Sequence, residues 1–244
     1  MADAPRSPFR PAERPRRFYT AVAAAPLESG FGVTLDARAL RTPAGVRLML
    51  PRLALAELVA AEWSAQEGVI DYGLMPATRL AFTAADRLGE ARAATAAEIA
   101  RQAGADLLCY FAEAPAELTR RHEQRWGPML DWASRDLDLQ FERALGILHR
   151  PQPQASLDRV QVLALALDDF ALAGLALAAG LFGSAILALA LQRGVLNGEA
   201  AFALSRLDEA FQEEQWGVDA EASDRTARLR DEAVMLDRWF RALA

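Results

Sequence analysis

Residues 170–191 read FALAGLALAAGLFGSAILALAL, a run of 22 residues without a charged side chain. One helix of this length could span a bilayer. However, eight of the residues are Ala, and Gly180 and Gly183 lie where a helix is expected to end. Ser184 is then a suitable N-cap for a second helix. We therefore predict two helices buried in the core of a soluble protein, and no membrane insertion.

Helical periodicity extends over most of the chain on both sides of this run. Helices are predicted at residues 77–88, 90–103, 115–137 with a break at Gly127-Pro128, 154–180, 184–193, 198–215 and 220–242. Residues 141–149 interrupt the pattern and are predicted to be extended. Everything from residue 90 onward is thus expected to be mainly helical.

The first third of the chain has strand patterns instead. Strands are predicted at residues 18–22, 31–35, 39–42 and 46–50. The stretch 35–38 is predicted to be a tight hairpin turn, with some distortion because Ala37 lacks the freedom at positive φ that Gly would have. A helix then begins at Pro51 and runs toward Gly68.

These patterns predict an α+β fold class with two domains. A small α+β N-terminal domain is predicted at residues 17–89, and a larger all-α C-terminal domain at 90–244. Residues 1–16 are rich in Arg and Pro and lack the apolar stretch of a secretory signal, so a flexible tail is expected there.

Composition and charge exclude several classes of function. The formal net charge of -6 and the pI near 5.1 argue against general binding to nucleic acid, and a basic partner surface would fit better. All 27 basic residues are Arg, so no Lys is present for Schiff-base chemistry. The single cysteine cannot form an internal disulfide, which suits the bacterial cytoplasm.

The residue types that usually carry catalysis are sparse. His122 has no second histidine at helical spacing, and its side chain is predicted to be solvated or hydrogen-bonded. His149 is predicted to cap a segment or face solvent, and Cys109 to be a buried structural residue. There is no Gly-x-Ser-x-Gly motif and no phosphate-binding loop. We therefore predict a protein that is not an enzyme, with no catalytic residues, no metal, no cofactor and no small-molecule substrate.

A late group of polar residues surrounds one tryptophan. Its members are Asp208, Glu209, Gln212, Trp216, Gly217, Asp219 and Glu221. The carboxylates are compatible with helix capping, with partner binding, or with a metal site in a metal-dependent hydrolase. Core packing is the default for each of the tryptophans Trp63, Trp126, Trp132 and Trp216, whereas an exposed one would indicate an interface anchor. Trp216 combines an aromatic side chain with a polar rim and is the first candidate for that role.

Several blocks of the sequence together resemble one family. They are Arg17-Phe18-Tyr19, Leu35-Asp36-Ala37-Arg38, Thr42-Pro43, Glu62-Trp63-Ser64-Ala65-Gln66, Met75-Pro76-Ala77-Thr78-Arg79-Leu80, Asp106-Leu107-Leu108-Cys109-Tyr110, Trp126-Gly127-Pro128-Met129-Leu130-Asp131-Trp132, Gly183-Ser184, Ala188-Leu189-Ala190, Ser205-Arg206-Leu207-Asp208-Glu209 and Trp216-Gly217-Val218-Asp219-Ala220-Glu221-Ala222. In this order they resemble the assembly chaperones that bind the alpha subunit of the F-type ATP synthase. Ala37, where the family pattern favours Gly, departs from it locally.

This resemblance implies a molecular chaperone rather than an enzyme. Such a protein binds the free alpha subunit, prevents its aggregation and hands it over to the beta subunit, in the cytoplasm here and in the mitochondrial matrix for eukaryotic relatives. We predict that the late polar group, from Asp208 to Glu221, contacts the alpha subunit. The alternatives are the metal-dependent hydrolase and a peripheral membrane adaptor that uses residues 170–191.

Overall fold

The computed structural model describes residues 14–146, 148–217 and 220–244. The strands are β1 Val22–Leu27, β2 Gly30–Leu35, β3 Arg38–Ala39, β4 Tyr110–Phe111 and β5 Ala144–Leu145. The helices are α1 Leu53–Ser64, α2 Pro76–Thr83, α3 Gly89–Ala103, α4 Ala116–Arg125, α5 Gly127–Leu137, α6 Gln154–Leu165, α7 Asp169–Phe182, α8 Ala185–Gln192, α9 Gly198–Ser205, α10 Leu207–Trp216 and α11 Ala220–Leu243. Strands near the N-terminus and helices over most of the remainder confirm the α+β class.

Strands β1, β2 and β3 form an antiparallel sheet in that order. The Asp36 amide donates to the Ala21 carbonyl oxygen, so the hydrogen-bonded pairs of the β1–β2 ladder begin with these two residues. Because the pairs alternate along an antiparallel ladder, the backbone groups of Val22, Ala24 and Pro26 point away from β2. That is the side on which a proline without an N–H group is tolerated.

The placement of the strands in the prediction was partly wrong. The predicted strand at 18–22 overlaps β1 only at Val22, and 39–42 overlaps β3 only at Ala39. Residues 46–50 form single bridges rather than a regular strand. Strand β1 is rich in alanine and lacks the β-branched residues that are typical of strands. It is therefore a strand because it pairs with β2, which its own sequence does not indicate.

The turn between β2 and β3 lies at the predicted place, but its left-handed residue is Asp36 rather than Ala37. Asp36 has a φ of 52°, and its carboxylate accepts from the amides of Thr20 and Ala21. These bonds hold the pKa of Asp36 below its usual value. The expected distortion is thus relieved by a residue type that tolerates positive φ.

The uncharged run forms α7 and α8, as predicted. Gly183 ends α7 with a φ of 62°, and the Ser184 hydroxyl accepts from the Leu187 amide at the start of α8. Beneath this junction the buried carboxylate of Asp106 accepts from the amides of Leu108 and Ile186. No helix in the described part of the chain is long and apolar enough to cross a membrane.

Two predicted helices are each divided in two. Residues 154–180 form α6 and α7, because Asp168 caps α7 by accepting from the Ala171 amide. The Arg92 guanidinium donates to the carbonyl oxygens of Leu165 and Leu167, which closes the end of α6. Similarly, residues 198–215 form α9 and α10, with the break at Arg206.

One hydrophobic core runs through the described residues. Helix α1 packs on the first sheet and on α11, and α7 packs against α3, α8 and α11. Glu62 of α1 accepts from the amides of Ala77 and Thr78, which holds the start of α2 against α1. A π-helical turn at Ala84–Leu88 joins α2 to α3, so the chain stays helical across residues 88–90. The domain boundary there remains a prediction.

Candidate functional site

Helices α4 and α10 are joined by a hydrogen-bonded histidine and aspartate. Nε2 of His122 lies 2.5 Å from Oδ1 of Asp208, although 86 residues separate them in sequence. Nδ1 of His122 accepts from the Ala112 amide at 3.0 Å, so this nitrogen carries no proton. The proton therefore lies on Nε2, and a neutral imidazole donates to the Asp208 carboxylate.

The surroundings of His122 fix its ring. Its side chain is only 1% exposed and stacks on the Trp126 indole at 3.9 Å between ring centroids. The Phe111 ring meets both rings edge-on, and the Trp126 indole N–H donates to the Leu204 carbonyl oxygen. Asp208 is thereby held to a rigid aromatic cluster on one side, while 40% of its own side chain stays exposed.

An ion pair joins the same two helices near the end of α10. The Arg121 guanidinium donates to both carboxylate oxygens of Glu214, at 2.9 and 2.8 Å, and lies over the Phe211 ring. This bidentate pairing lowers the pKa of Glu214. The orientation of α10 against α4 is therefore set at both ends of the helix.

With Asp208 and Phe211 directed at α4, helical geometry turns a different row of α10 outward. Glu209, Gln212, Glu213 and Trp216 follow one another at i, i+3, i+4 and i+7, which is one face of a helix. Trp216 is 80% exposed. Arg206 pairs with Glu209 at 2.7 Å. We call these four outward residues the α10 face.

Trp216 differs from the other tryptophans. Trp63, Trp126, Trp132 and Trp239 are all buried in the core. The default of core packing is confirmed for Trp63, Trp126 and Trp132 and is wrong for Trp216. An exposed indole with glutamate and glutamine neighbours is the arrangement expected of an interface anchor. Gly217 ends the helix directly after it with a φ of 86°.

The predicted site residues are thus divided between two sides of one helix. Glu209, Gln212 and Trp216 share the α10 face, Gly217 ends it, and Asp208 is turned toward His122. Asp219 lies outside the described residues, and for Glu221 only its place in α11 is described.

Sequence reasoning missed the part that α4 plays. His122 is hydrogen-bonded, one of the two states predicted for it, but nothing local in the sequence pairs it with Asp208 or pairs Arg121 with Glu214. Both pairings depend on how α4 and α10 pack. These two pairs could have been predicted only by knowing which residues of α4 and α10 contact each other.

Two other candidates for chemistry have ordinary structural surroundings. Cys109 is buried, and burial raises the pKa of its thiol. His149 is exposed and lies 2.9 Å from the Tyr110 hydroxyl. Within the described ranges, no three His, Cys, Asp or Glu residues are grouped so that they could hold a metal ion. The hydrolase alternative therefore finds no support.

Comparison with known proteins identifies relatives of this chain. Residues 16–134 match the family model described as ATP12 chaperone protein. The mitochondrial protein atp12 of Schizosaccharomyces pombe is 24% identical over 214 residues, covering 83% of this chain and 74% of that protein.

Solved structures agree over nearly the whole chain. The crystal structure of Atp12 from Paracoccus denitrificans is 38% identical with a TM-score of 0.87, covering 94% of this chain and 99% of that one. A crystal structure from Agrobacterium tumefaciens is 40% identical with a TM-score of 0.88, covering 94% and 87%. Fold and sequence together define an assembly chaperone of the F-type ATP synthase. The chain belongs to the ATP12 chaperone family, and the resemblance found in the sequence is confirmed.

Proposed function

We propose that this chaperone binds the free alpha subunit of the F-type ATP synthase, keeps it from aggregating and releases it to the beta subunit. Membership of the ATP12 family supports the choice of an ATP synthase subunit as the partner. The observation that carries a binding role is the exposed indole of Trp216 on a helix whose orientation is fixed by two contacts to α4, the His122–Asp208 hydrogen bond and the Arg121–Glu214 ion pair.

The α10 face has the chemistry for a basic partner surface. Glu213 lies one turn and Glu209 two turns before Trp216 on this face, so an apolar contact at the indole would have acidic side chains on its N-terminal side. The net charge of -6 adds a general attraction to a positively charged partner. We place the primary contact on this face, within the predicted C-terminal domain.

Release requires no catalysis and no cofactor. A chaperone that binds only the unassembled subunit stabilises it by mass action. The beta subunit would displace the chaperone if it covers the same surface with a larger and more apolar interface. We propose that this exchange takes place in the bacterial cytoplasm.

Co-expression tests the proposal directly. The tagged chain and the alpha subunit of the same bacterium are purified together and separated by size-exclusion chromatography, with and without the beta subunit. We expect co-elution with the alpha subunit that is lost when the beta subunit is added. Failure of the folded chain to bind freshly synthesised, soluble alpha subunit would show that the partner is wrong.

A further inference from the structure

An open groove lies on the surface where α2 and α3 meet α7 and α11. It consists of two cavities, of about 390 and 360 Å³, that share Arg79 and Thr83. The apolar residues that line the first cavity are Pro76, Leu80, Leu88, Ala173, Ala176 and Leu177. Tyr72 and Phe82 line the second. We call the two together the Arg79 groove, and none of its residues belongs to the α10 face.

Two arginines in the groove form no salt bridge with any carboxylate in the part of the chain that the structure describes. They are Arg79 and Arg87, and both are exposed. By contrast, Arg92 of the adjacent α3 is held by Asp169 and two carbonyl oxygens. Arg79 therefore offers guanidinium donors to a ligand at the centre of an apolar groove.

Each cavity also contains one acidic residue. Asp86 lines the second cavity and accepts from the Ala44 amide through one carboxylate oxygen, and Glu232 reaches the first cavity from α11. Arg79 lines both cavities, so it places a positive charge where they meet, with apolar walls on both sides. A bound group that complements it has a carboxylate at its centre and apolar groups to either side.

The π-helical turn Ala84–Leu88 borders both cavities. It interrupts the α-helical course from α2 to α3, and Asp86, Arg87 and Leu88 of this turn all line the groove. Single π-helical turns inside α-helices occur often at functional sites, because the extra residue widens the helix locally. The irregularity is therefore located at the groove itself.

We propose that the Arg79 groove binds an amphipathic segment of the client polypeptide, with an Asp or Glu side chain paired to Arg79 and apolar side chains in both cavities. This inference rests on the proposed function, because it takes the client to be the alpha subunit. A polypeptide fits better than a compact ligand because the groove extends over two adjoining cavities and is lined at the second by the exposed side chain of Tyr72.

Together with the α10 face, the groove gives the chaperone two contacts of opposite polarity. The α10 face is acidic and suits a basic surface, whereas the centre of the groove is basic and suits a carboxylate. A client that uses both contacts can bind in one orientation only, since reversing it would place like charges together.

Charge reversal in the groove is the first test. The dissociation constant for the alpha subunit of the same bacterium is measured by calorimetry for the wild type, Arg79→Glu and Arg52→Glu. Arg52 is a matched control because it is exposed and lies outside both cavities. We expect Arg79→Glu to weaken binding about tenfold or more and Arg52→Glu to change it less than about twofold.

A second variant tests the apolar wall. Ala176→Arg places a long charged side chain in the first cavity, and we expect it to weaken binding to a similar extent while the circular dichroism spectrum stays unchanged. A photo-crosslinking residue at position 83 should join the chaperone to a client segment that carries a carboxylate between apolar residues.

The results separate this inference from the proposed function. If Arg79→Glu and Ala176→Arg bind the alpha subunit as tightly as the wild type does, while Trp216→Ala loses binding, the groove is not a client site and the proposed function stands. If the wild type does not bind the alpha subunit at all, both are overturned. Crosslinks from position 83 only to segments without a carboxylate would overturn the assigned chemistry.

Discussion

The α7–α8 junction and the α4–α10 contact are each held by one aspartate, but the two carboxylates have opposite surroundings. Asp106 is fully buried and accepts from backbone amides at the start of α8. Asp208 is 40% exposed and accepts from His122. The first arrangement stabilises the core, whereas the second orients a helix whose other face carries the exposed Trp216. Similar hydrogen bonds therefore stabilise the core in one region and fix a surface helix in the other.

The largest effect on stability is expected at the buried aspartate. Asp106→Ala leaves the amides of Leu108 and Ile186 without acceptors inside the core, and we expect it to lower the free energy of unfolding by about 3 kcal/mol at pH 5.5. Denaturant unfolding followed by circular dichroism measures this. The control is Asp136→Ala, an exposed aspartate paired with Arg135, which should cost no more than about 0.5 kcal/mol. Equal losses in the two variants would contradict the comparison.

The same aspartate should make stability depend on pH. Burial raises the pKa of Asp106 from 3.8 to about 6, against the hydrogen bonds that it accepts. A raised pKa in the folded state means that the stability contributed by the protonated form is lost as the pH rises through 6. Because this loss runs from the unfolded pKa of 3.8 to the folded pKa of about 6, we expect the stability difference between wild type and Asp106→Ala to shrink by about 2 kcal/mol from pH 4 to pH 7. A difference that stays constant, measured by the same unfolding experiment, would argue against the raised pKa.

A smaller effect is expected at the α4–α10 contact. Asp208→Ala removes the acceptor of the His122 Nε2–H group and should cost about 1 kcal/mol, because solvent reaches the vacated position. Asp208→Asn retains a carbonyl oxygen and should cost less. Nitrogen chemical shifts of His122 should show the Nε2–H tautomer in the wild type. If Asp208→Ala unfolds at the same denaturant concentration as the wild type, the contact contributes nothing to stability.

On the α10 face, a substitution should weaken binding of the alpha subunit while leaving the free energy of unfolding nearly unchanged. Trp216→Ala should change the free energy of unfolding by no more than about 0.5 kcal/mol, because the indole is exposed. Capture of the alpha subunit should weaken at least about tenfold if Trp216 is the anchor. Val162→Ala on α6 is the matched control, since Val162 is also exposed and apolar. Equal affinities of the two variants would exclude Trp216 as the anchor.

The smallest effect on stability is expected at Glu209. Glu209→Lys removes an exposed pair with Arg206 and should leave helicity and the melting temperature nearly unchanged. It reverses a charge on the α10 face, so we expect weaker capture of the alpha subunit in the co-elution experiment. A large fall in the melting temperature would show that Glu209 serves the fold instead.

Local signals explain which parts of the fold could be predicted. Gly183 and Ser184 have the left-handed and capping roles that their residue types favour, so the α7–α8 break was predicted. Asp168 offered a comparable N-cap signal, yet the periodicity of the flanking residues masked it. The break at Arg206 has no Gly or Pro, and only the contacts of α9 and α10 determine it.

The sequence predicted the site correctly only where the neighbouring residue types indicate that a side chain is exposed. Trp216, beside acids and a helix-ending glycine, was identified as an anchor candidate and is exposed. The side of α10 on which Asp208 lies depends on His122 and Arg121 from a helix far away in sequence. The Arg79 groove likewise arises from the packing of four helices, which periodicity within one helix does not reveal.

The outer edge of β1 limits how the chaperone can associate with itself. A free strand edge is a template on which another chain can add a strand, and this is a common route to aggregation. Of the three β1 residues whose backbone points outward, Pro26 has no N–H to donate, which leaves the amides of Val22 and Ala24. A second copy could therefore form only a short ladder on this edge. At the high concentration of a crowded cell, that keeps a protein with exposed apolar residues from polymerising through its sheet.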